Sequence, residues 1–264
     1  MNARVRTSLS LYHPFLFRLL FPNRCRICGR FIGEKKYRDA SPDIHAILCD
    51  SCLRDLPRTE QALIRQNSTE MTLLQSASPF VRDQGQAMLA AQRVMRLRRA
   101  AAFLFFEKDY LIRAAIHRMK YGDEPMIGYL LGRQAAEEFM YTDFFDGIEL
   151  IVPVPLHPNR LRERGYNQSE YIASGISEAT GIPLDTTHVL RIKDTPKQAL
   201  QSGIHRRHNV AEAFAVSHPE QLYRKHILLV DDLLTTGETV KSCLKAMRTI
   251  RRASFSVFAL CKAQ

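Results

Sequence analysis

A chain of 264 residues with 45% apolar content can bury a full-sized core and still carry a small module, so disorder does not describe it as a whole. Twelve glycines and twelve prolines are ordinary numbers, and no period of the kind that marks a solenoid is visible. The formal charge of +11 favours polyanions, phosphorylated small molecules or acidic surfaces as partners without selecting a fold, and basic residues spread over a solvated surface would give the same figure.

The N-terminal stretch "SLSLYHPFLFRLLFP" is apolar but is interrupted by His13, Pro14 and Arg18. It is shorter than the roughly 20 residues that a membrane span requires, and no small-residue cleavage site follows. It reads as a short amphipathic helix, and the chain as soluble and cytoplasmic with no membrane span.

Cys25 and Cys28 form one C-x-x-C pair, Cys49 and Cys52 another, and twenty residues separate the pairs. That spacing suits four thiolates on one structural Zn²⁺, which would give a module of this size folding energy that apolar burial cannot supply. Two disulfides are the competing reading, and the absence of a secretory signal argues against them. With sulfur at every position the metal would have no open site for substrate. Cys243 and Cys261 have no partner at ligand spacing and read as buried thiols.

Residues 1–56 therefore form the lead helix and the cysteine module, closed by Pro57. Residues 57–98 read as a polar, partly helical connecting segment. It ends in "AQRVMRLRRA", where Arg93, Arg96, Arg98 and Arg99 could hold phosphate backbone, although a solvated linker or a packed basic helix is the more ordinary reading. Residues 99–264 read as a larger α/β domain. A strand "AAAFLFFE" leads to a helix with Leu111, Ala114, Ala115 and Met119 at helical spacing, stopped at Gly122. A helix over about 126–141 follows, then "IELIVPVPL", a continuous apolar run suited to a strand buried on both faces.

A polar loop to Asn167, a helix through Thr180 and an irregular basic stretch with Lys193, Lys197, Arg206 and Arg207 come next. The strand "HILLV", a helix from about Glu238 to Ile250 and a last strand "FSVFAL" complete the chain. Strands alternating with helices predict an open, mainly parallel sheet flanked by helices, with ligands bound at the carboxyl ends of the strands.

"ILLVDDLLTTGETV" (227–240) lies at such an end. Thr235 and Glu238 have the T-x-x-E spacing of a capping box, which would start a helix without any ligand. Capping leaves Asp231 and Asp232 unexplained, because adjacent carboxylates at the end of a buried strand repel one another unless something uses them. A ligand with both a phosphate and a ribose would account for the whole set. Backbone N–H groups and hydroxyls would meet the phosphate, and the carboxylates would accept from the ribose hydroxyls and tolerate Mg²⁺ nearby. Neither a P-loop nor a G-x-G-x-x-G spacing is present.

"LLVDDLLTTGET" resembles the 5-phosphoribosyl-1-diphosphate (PRPP) motif of type I phosphoribosyltransferases. "RLRERGYNQSEYIA" is similar to the R-x-R-x-R-G-Y-N-Q signature of ComF-type proteins, the branch linked to competence for DNA uptake. The same branch's pattern is matched by Thr195, Gln198, Arg206, Asn209, Ala213 and Phe214, and its architecture includes a four-cysteine module. The resemblance implies a type I phosphoribosyltransferase-like sheet with an N-terminal zinc module. It implies that Asp231 and Asp232 hold the ribose hydroxyls and that Thr235, Thr236, Gly237, Glu238 and Thr239 hold the 5-phosphate.

In such enzymes a nucleophile displaces pyrophosphate from ribose carbon 1, and Mg²⁺ and cationic side chains stabilise the charge that accumulates on the leaving group. Arg160, Arg162 and Arg164 follow the strand ending in "IVPVP" and are candidates for the pyrophosphate; in an extended loop all three would face one way. Tyr166 and Asn167 are balanced between ligand contact and structure, and Gln168 completes the signature. The acceptor has no sequence signal. A phosphoribosyl-transferring enzyme and a non-catalytic adaptor that binds single-stranded DNA and other competence proteins are both open readings, and the sequence does not address oligomeric state.

Overall fold

The structure, a computed structural model, describes residues 23–32, 43–74, 92–106, 110–194 and 213–263. The expected lead helix, and Thr195, Lys197, Gln198, Arg206, Arg207 and Asn209, lie outside the described residues. Backbone contacts divide the chain into two units, Met1–Leu56 and Pro57–Gln264.

In the first unit Arg24 and Phe31 form an antiparallel bridge around a turn in which Gly29 has φ +74°, a conformation open to glycine without side-chain strain. The Arg26 N–H donates to the Ile47 carbonyl at 2.7 Å and ties this turn to the second cysteine pair. A 3₁₀ turn at Ile44–Ala46 leads to helix α1 (Asp50–Arg54), and Ile32, Ile44, Ile47 and Leu48 are buried.

The second unit is built on four parallel strands in the order β1-β6-β5-β2: β1 (Leu97–Phe106), β2 (Leu150–Pro153), β5 (His226–Leu234) and β6 (Ser254–Ala263). Parallel neighbours need crossover connections, which the helical spacing in the sequence supplies. Between β1 and β2 run α3 (Tyr110–Tyr121) and α4 (Met126–Phe139). After β2 come α5 (Pro158–Arg164) and α6 (Gln168–Thr180), and α7 (Glu238–Met247) joins β5 to β6. An antiparallel pair, β3 (Val189–Arg191) and β4 (Phe214–Val216), lies between α6 and β5 in the chain.

The sheet is apolar on both faces, as its continuous hydrophobic strands require. On one face Ile227, Leu229, Val257 and Ala259 share a core with Val240, Cys243, Leu244 and Met247 of α7. On the other, Phe139 of α4 meets Phe258 of β6 edge-on, with ring centroids 5.7 Å apart. There α4 and α6 cross at glycines. A Cβ on Gly132 would stand 2.3 Å from the Ile172 carbonyl oxygen, and one on Gly175 would stand 2.0 Å from that of Tyr129.

Strand β2 is shorter than the apolar run suggests. It stops at Pro153 because two prolines, at 153 and 155, remove the donors that would continue its ladder, and the Val154 N–H makes a last bond to the Val230 carbonyl at 2.8 Å. Residues 57–74, placed by sequence in a connecting segment, hydrogen-bond along the free edge of β1. Thr59 N donates to the Phe103 carbonyl at 3.0 Å and Phe105 N to the Pro57 carbonyl at 2.8 Å.

Buried side chains then replace a fifth strand. Gln61 Oε1 accepts from Ala102 N, Glu70 Oε1 accepts from Ala100 N, and Asn67 Nδ2 donates to the Ala100 carbonyl. Asn67 also caps α2 (Ser68–Leu74), its Oδ1 accepting from Thr69 N and Glu70 N at 3.0 Å. Within the arginine run, Arg99 is buried and pairs with Asp143, while Arg96 Nη1 donates to the Ile250 carbonyl at 2.9 Å; both serve the fold. Arg93 and Arg98 are exposed. No described helix is long and apolar enough to cross a membrane.

Candidate functional site

Strand β5 outruns β2. Its last pairing with β2 is Val230 opposite Pro153, but its ladder with β6 continues through Asp231, Leu233 and Leu234. Asp231 and Asp232 therefore sit within β5, just past the point where one neighbour has ended, in the crevice where parallel α/β sheets take ligands. The N-terminus of α6 reaches this gap. Ser169 Oγ donates to Asp231 Oδ1 at 3.3 Å, Gln168 Nε2 donates to Asp232 Oδ2 at 3.3 Å, and the Asp232 N–H donates to Asp231 Oδ1 at 2.9 Å.

Asp231 is almost wholly buried. Burial first, then the Asp232 charge, push its carboxyl up to about 7, against the opposing pull of the Asp232 N–H, Lys120 and Ser169. A carboxylic acid held so far above its ordinary range at the end of a strand is the kind of group found at functional sites.

The turn after β5 differs from a capping box. The residue flanking α7 is Gly237 in the left-handed region, φ +75°, with Glu238 as the first helical residue and no side-chain cap. A Thr cap needs an extended backbone immediately before the helix, and Thr235 lies two residues too early. The first ladder bond of α7 runs from Lys241 N to the Gly237 carbonyl at 2.8 Å, so the N–H groups of Glu238, Thr239 and Val240 precede it. Thr235 and Thr236 are exposed, Thr239 is half-buried, and Leu73 of α2 lies beneath Gly237. Lys241 Nζ steadies the turn through the Thr236 carbonyl at 3.1 Å and Glu238 Oε1 at 3.3 Å.

The basic loop is also not extended. Pro158 at the first position, a His157 cap accepting from Asn159 N, and Gly165 at φ +81° make residues 158–164 a two-turn helix. Arg160 and Arg164 share a face and Arg162 is turned roughly 200° away, so the single positive line expected of an extended loop does not form. All three nevertheless border a cleft of about 1070 Å³, together with Lys120, Tyr121, Tyr166 and the acids Asp123, Glu163 and Asp194. The Arg164 guanidinium lies over the Tyr121 ring, 5.3 Å from its centroid.

Tyr166 and Asn167 resolve toward structure. The buried Tyr166 hydroxyl donates to the Met119 carbonyl at 2.6 Å, and its ring packs edge-on against Tyr171. Asn167 caps α6 through Ser169 N and reaches the Val154 carbonyl. Gln168, by contrast, touches the acidic pair directly.

Three residues escaped sequence reasoning. Lys120, at the end of α3, places Nζ 3.0 Å from Asp232 Oδ2. Ser169 holds Asp231. Half-buried Arg191 of β3 lies over the Phe214 ring, and its guanidinium pKa is lowered by burial and then by Arg160, with Asp231 and Asp194 acting the other way. Their only signal is position: each stands next to a feature that the sequence did single out, Gly122, Gln168 and the basic stretch.

In the first unit the four sulfurs of Cys25, Cys28, Cys49 and Cys52 all lie within 4.8 Å of one another, and the Cys28 and Cys49 sulfurs are 3.7 Å apart. A tetrahedron with metal–sulfur bonds of about 2.3 Å has edges of about 3.8 Å, so the cluster fits a metal ion. Burial pushes the Cys25 thiol up, but the N–H groups of Cys28, Cys49 and Ile27 together with the Cys28 thiol bring it down to about 7. Cys243 and Cys261 are fully buried, and burial pushes both thiols far up, out of reach of ionisation.

No family model matches the chain. A stretch of 153 residues is 38% identical to Competence protein F of Haemophilus influenzae, covering 56% of this chain and 66% of that one. The chain belongs to the ComF family. DNA utilization protein YhgH of Escherichia coli is a second relative, 31% identical over 150 residues, 56% of this chain and 65% of that protein. The matches thus span just under two thirds of these relatives' lengths. A solved structure of the allosteric regulatory enzyme of purine biosynthesis overlays 53% of this chain and 29% of its own at a TM-score of 0.36 and 18% identity, a likeness too slight to argue from.

Proposed function

We propose that this ComF protein binds PRPP at the crevice beyond β2. The observation that carries the reading is the acidic pair inside β5, with Asp231 buried and Asp232 partly buried, separated by five residues from the first residue of α7. The carboxylates accept hydrogen bonds from the ribose 2′- and 3′-hydroxyls. The turn of Thr235, Thr236, Gly237, Glu238 and Thr239 receives the 5-phosphate on its backbone N–H groups and hydroxyls. Arg160, Arg162 and Arg164 supply charge for the diphosphate from the cleft. Mg²⁺, a hard cation, would find oxygen ligands on Asp231 and Asp232 and on the ligand itself and would neutralise diphosphate charge. The four-cysteine cluster is proposed as a structural zinc site, whose all-sulfur donor set suits Zn²⁺.

The test is a thermal melt with PRPP and Mg²⁺, followed by a screen for pyrophosphate release over candidate acceptors. A rise in melting temperature that Asp231→Asn with Asp232→Asn abolishes is expected. An unchanged melt of the wild type contradicts the site. Pyrophosphate release with any acceptor assigns transfer, and binding without release assigns a sensing or adaptor role.

The relatives' names, Competence protein F and DNA utilization protein, favour a role in competence or DNA utilization, which we propose this chain performs in DNA uptake from the cytoplasm. The arginines of the cleft would give single-stranded DNA binding that weakens steeply with salt as counterions are released, and a flat salt response contradicts direct binding.

A further inference from the structure

Lys120 stands where two charged regions meet. Its Nζ donates to Asp232 Oδ2 at 3.0 Å with both side chains mostly buried, 17% and 15% exposed, and the same side chain borders the cleft of Arg160, Arg162 and Arg164. Asp232 Oδ2 also accepts from Gln168, so this oxygen is engaged by two of the chain's own donors at the position where a ribose diol would donate. The diol can take over those acceptor sites but brings no positive charge. A displaced ammonium in a part-buried site then needs a new anion. Lysine is suited to the exchange, because its three donors sit on a flexible four-carbon stem.

We propose that Lys120 couples the two ends of the ligand: it holds Asp232 in the protein by itself, and turns to the diphosphate when a ribose diol takes Asp232. The proposal rests on the PRPP reading above. It makes the diphosphate a condition for efficient diol binding, so ribose 5-phosphate, which would break the ion pair without offering a replacement, binds poorly.

The experiment is a calorimetric titration of PRPP and of ribose 5-phosphate, each with Mg²⁺, into wild type, Lys120→Met and Lys120→Arg. Loss of one charge-assisted contact is expected to weaken PRPP binding to Lys120→Met roughly 10- to 100-fold. Ribose 5-phosphate should bind Lys120→Met as well as or better than wild type, and Lys120→Arg should recover part of the preference for PRPP. If the methionine variant melts too low to titrate, Lys120→Gln, which keeps a donor for Asp232, carries the same comparison. Equal weakening of both ligands, or of neither, overturns the coupling while leaving the site intact. Failure of the wild type to bind either ligand overturns the underlying reading and the coupling with it.

Discussion

Asn167 Nδ2 donates to the Val154 carbonyl at 3.1 Å while its Oδ1 accepts from Ser169 N at 3.2 Å. One side chain thus fastens the turn that ends β2 to the first turn of the helix that carries Gln168 and Ser169 against the acidic pair. Asn167→Ala removes a helix cap and leaves a buried carbonyl unmatched. The expected destabilisation is about 2–4 kcal/mol by urea denaturation, from about 1 for the cap plus 1–3 for the orphaned acceptor. Asn167→Asp keeps the cap but sets a carboxylate against a carbonyl, and should recover only part of the loss.

Asp231 predicts a conflict between stability and function. Its folded pKa of about 7 lies above the ordinary 3.8, so between those values the folded state holds a proton that the unfolded state has lost, and stability falls as pH rises. Asn keeps an oxygen to accept from Ser169 and Asp232 N but has no charge to bury. Asp231→Asn should therefore stabilise the protein alone at pH 8 by up to roughly 4 kcal/mol, with the gain shrinking to nothing near pH 4. Melting curves across that range check it; a pH-independent difference contradicts the assignment.

His226 should show the opposite slope. The Gly147 carbonyl 3.0 Å from Nδ1 can only accept, so that nitrogen carries the proton, and the neutral ring takes the Ser256 hydroxyl at Nε2, 2.9 Å away. Burial, then the nearby Arg98 charge, hold its pKa below the ordinary value. The unfolded ring binds the proton first as pH falls through about 6.5, so this contribution is present above that pH and lost below it. Replacing His226 with Gln should flatten the acid side of the stability profile.

The helix crossing gives a sharper mechanical test. Gly175→Ala would drive a methyl to 2.0 Å from the Tyr129 carbonyl oxygen, so α4 and α6 must separate. Overpacking of this kind should cost about 1–3 kcal/mol or more, read as a fall in denaturation midpoint.

For the cysteine cluster, one metal per chain is expected by elemental analysis, with Cys52→Ser lowering metal content and exposing the first unit to proteolysis. Metal-free wild type purified without chelator contradicts a metal role.

The sheet and its crossovers were legible because buried parallel strands are continuous apolar runs and their helices carry apolar residues at helical spacing, as "HILLV" and the helix ending at Gly122 illustrate. The acidic pair stood out because nothing local explains two adjacent carboxylates. The edge cover of β1 was not legible, since Gln61, Asn67 and Glu70 look like a polar linker until the strand they satisfy is beside them. The arginine loop misled through its alternation: Pro158, the His157 cap and Gly165 outweigh a pattern that suggests extension. Lys120 and Arg191 reach the site only through the fold, so no spacing announces them.

The most direct measurement is calorimetric titration of PRPP with Mg²⁺ into wild type and into Asp231→Asn with Asp232→Asn. Saturable binding near one ligand per chain is expected, abolished in the double variant while its fold, seen by circular dichroism, persists. Binding of equal strength to both proteins, or no heat with the wild type, would contradict the PRPP site.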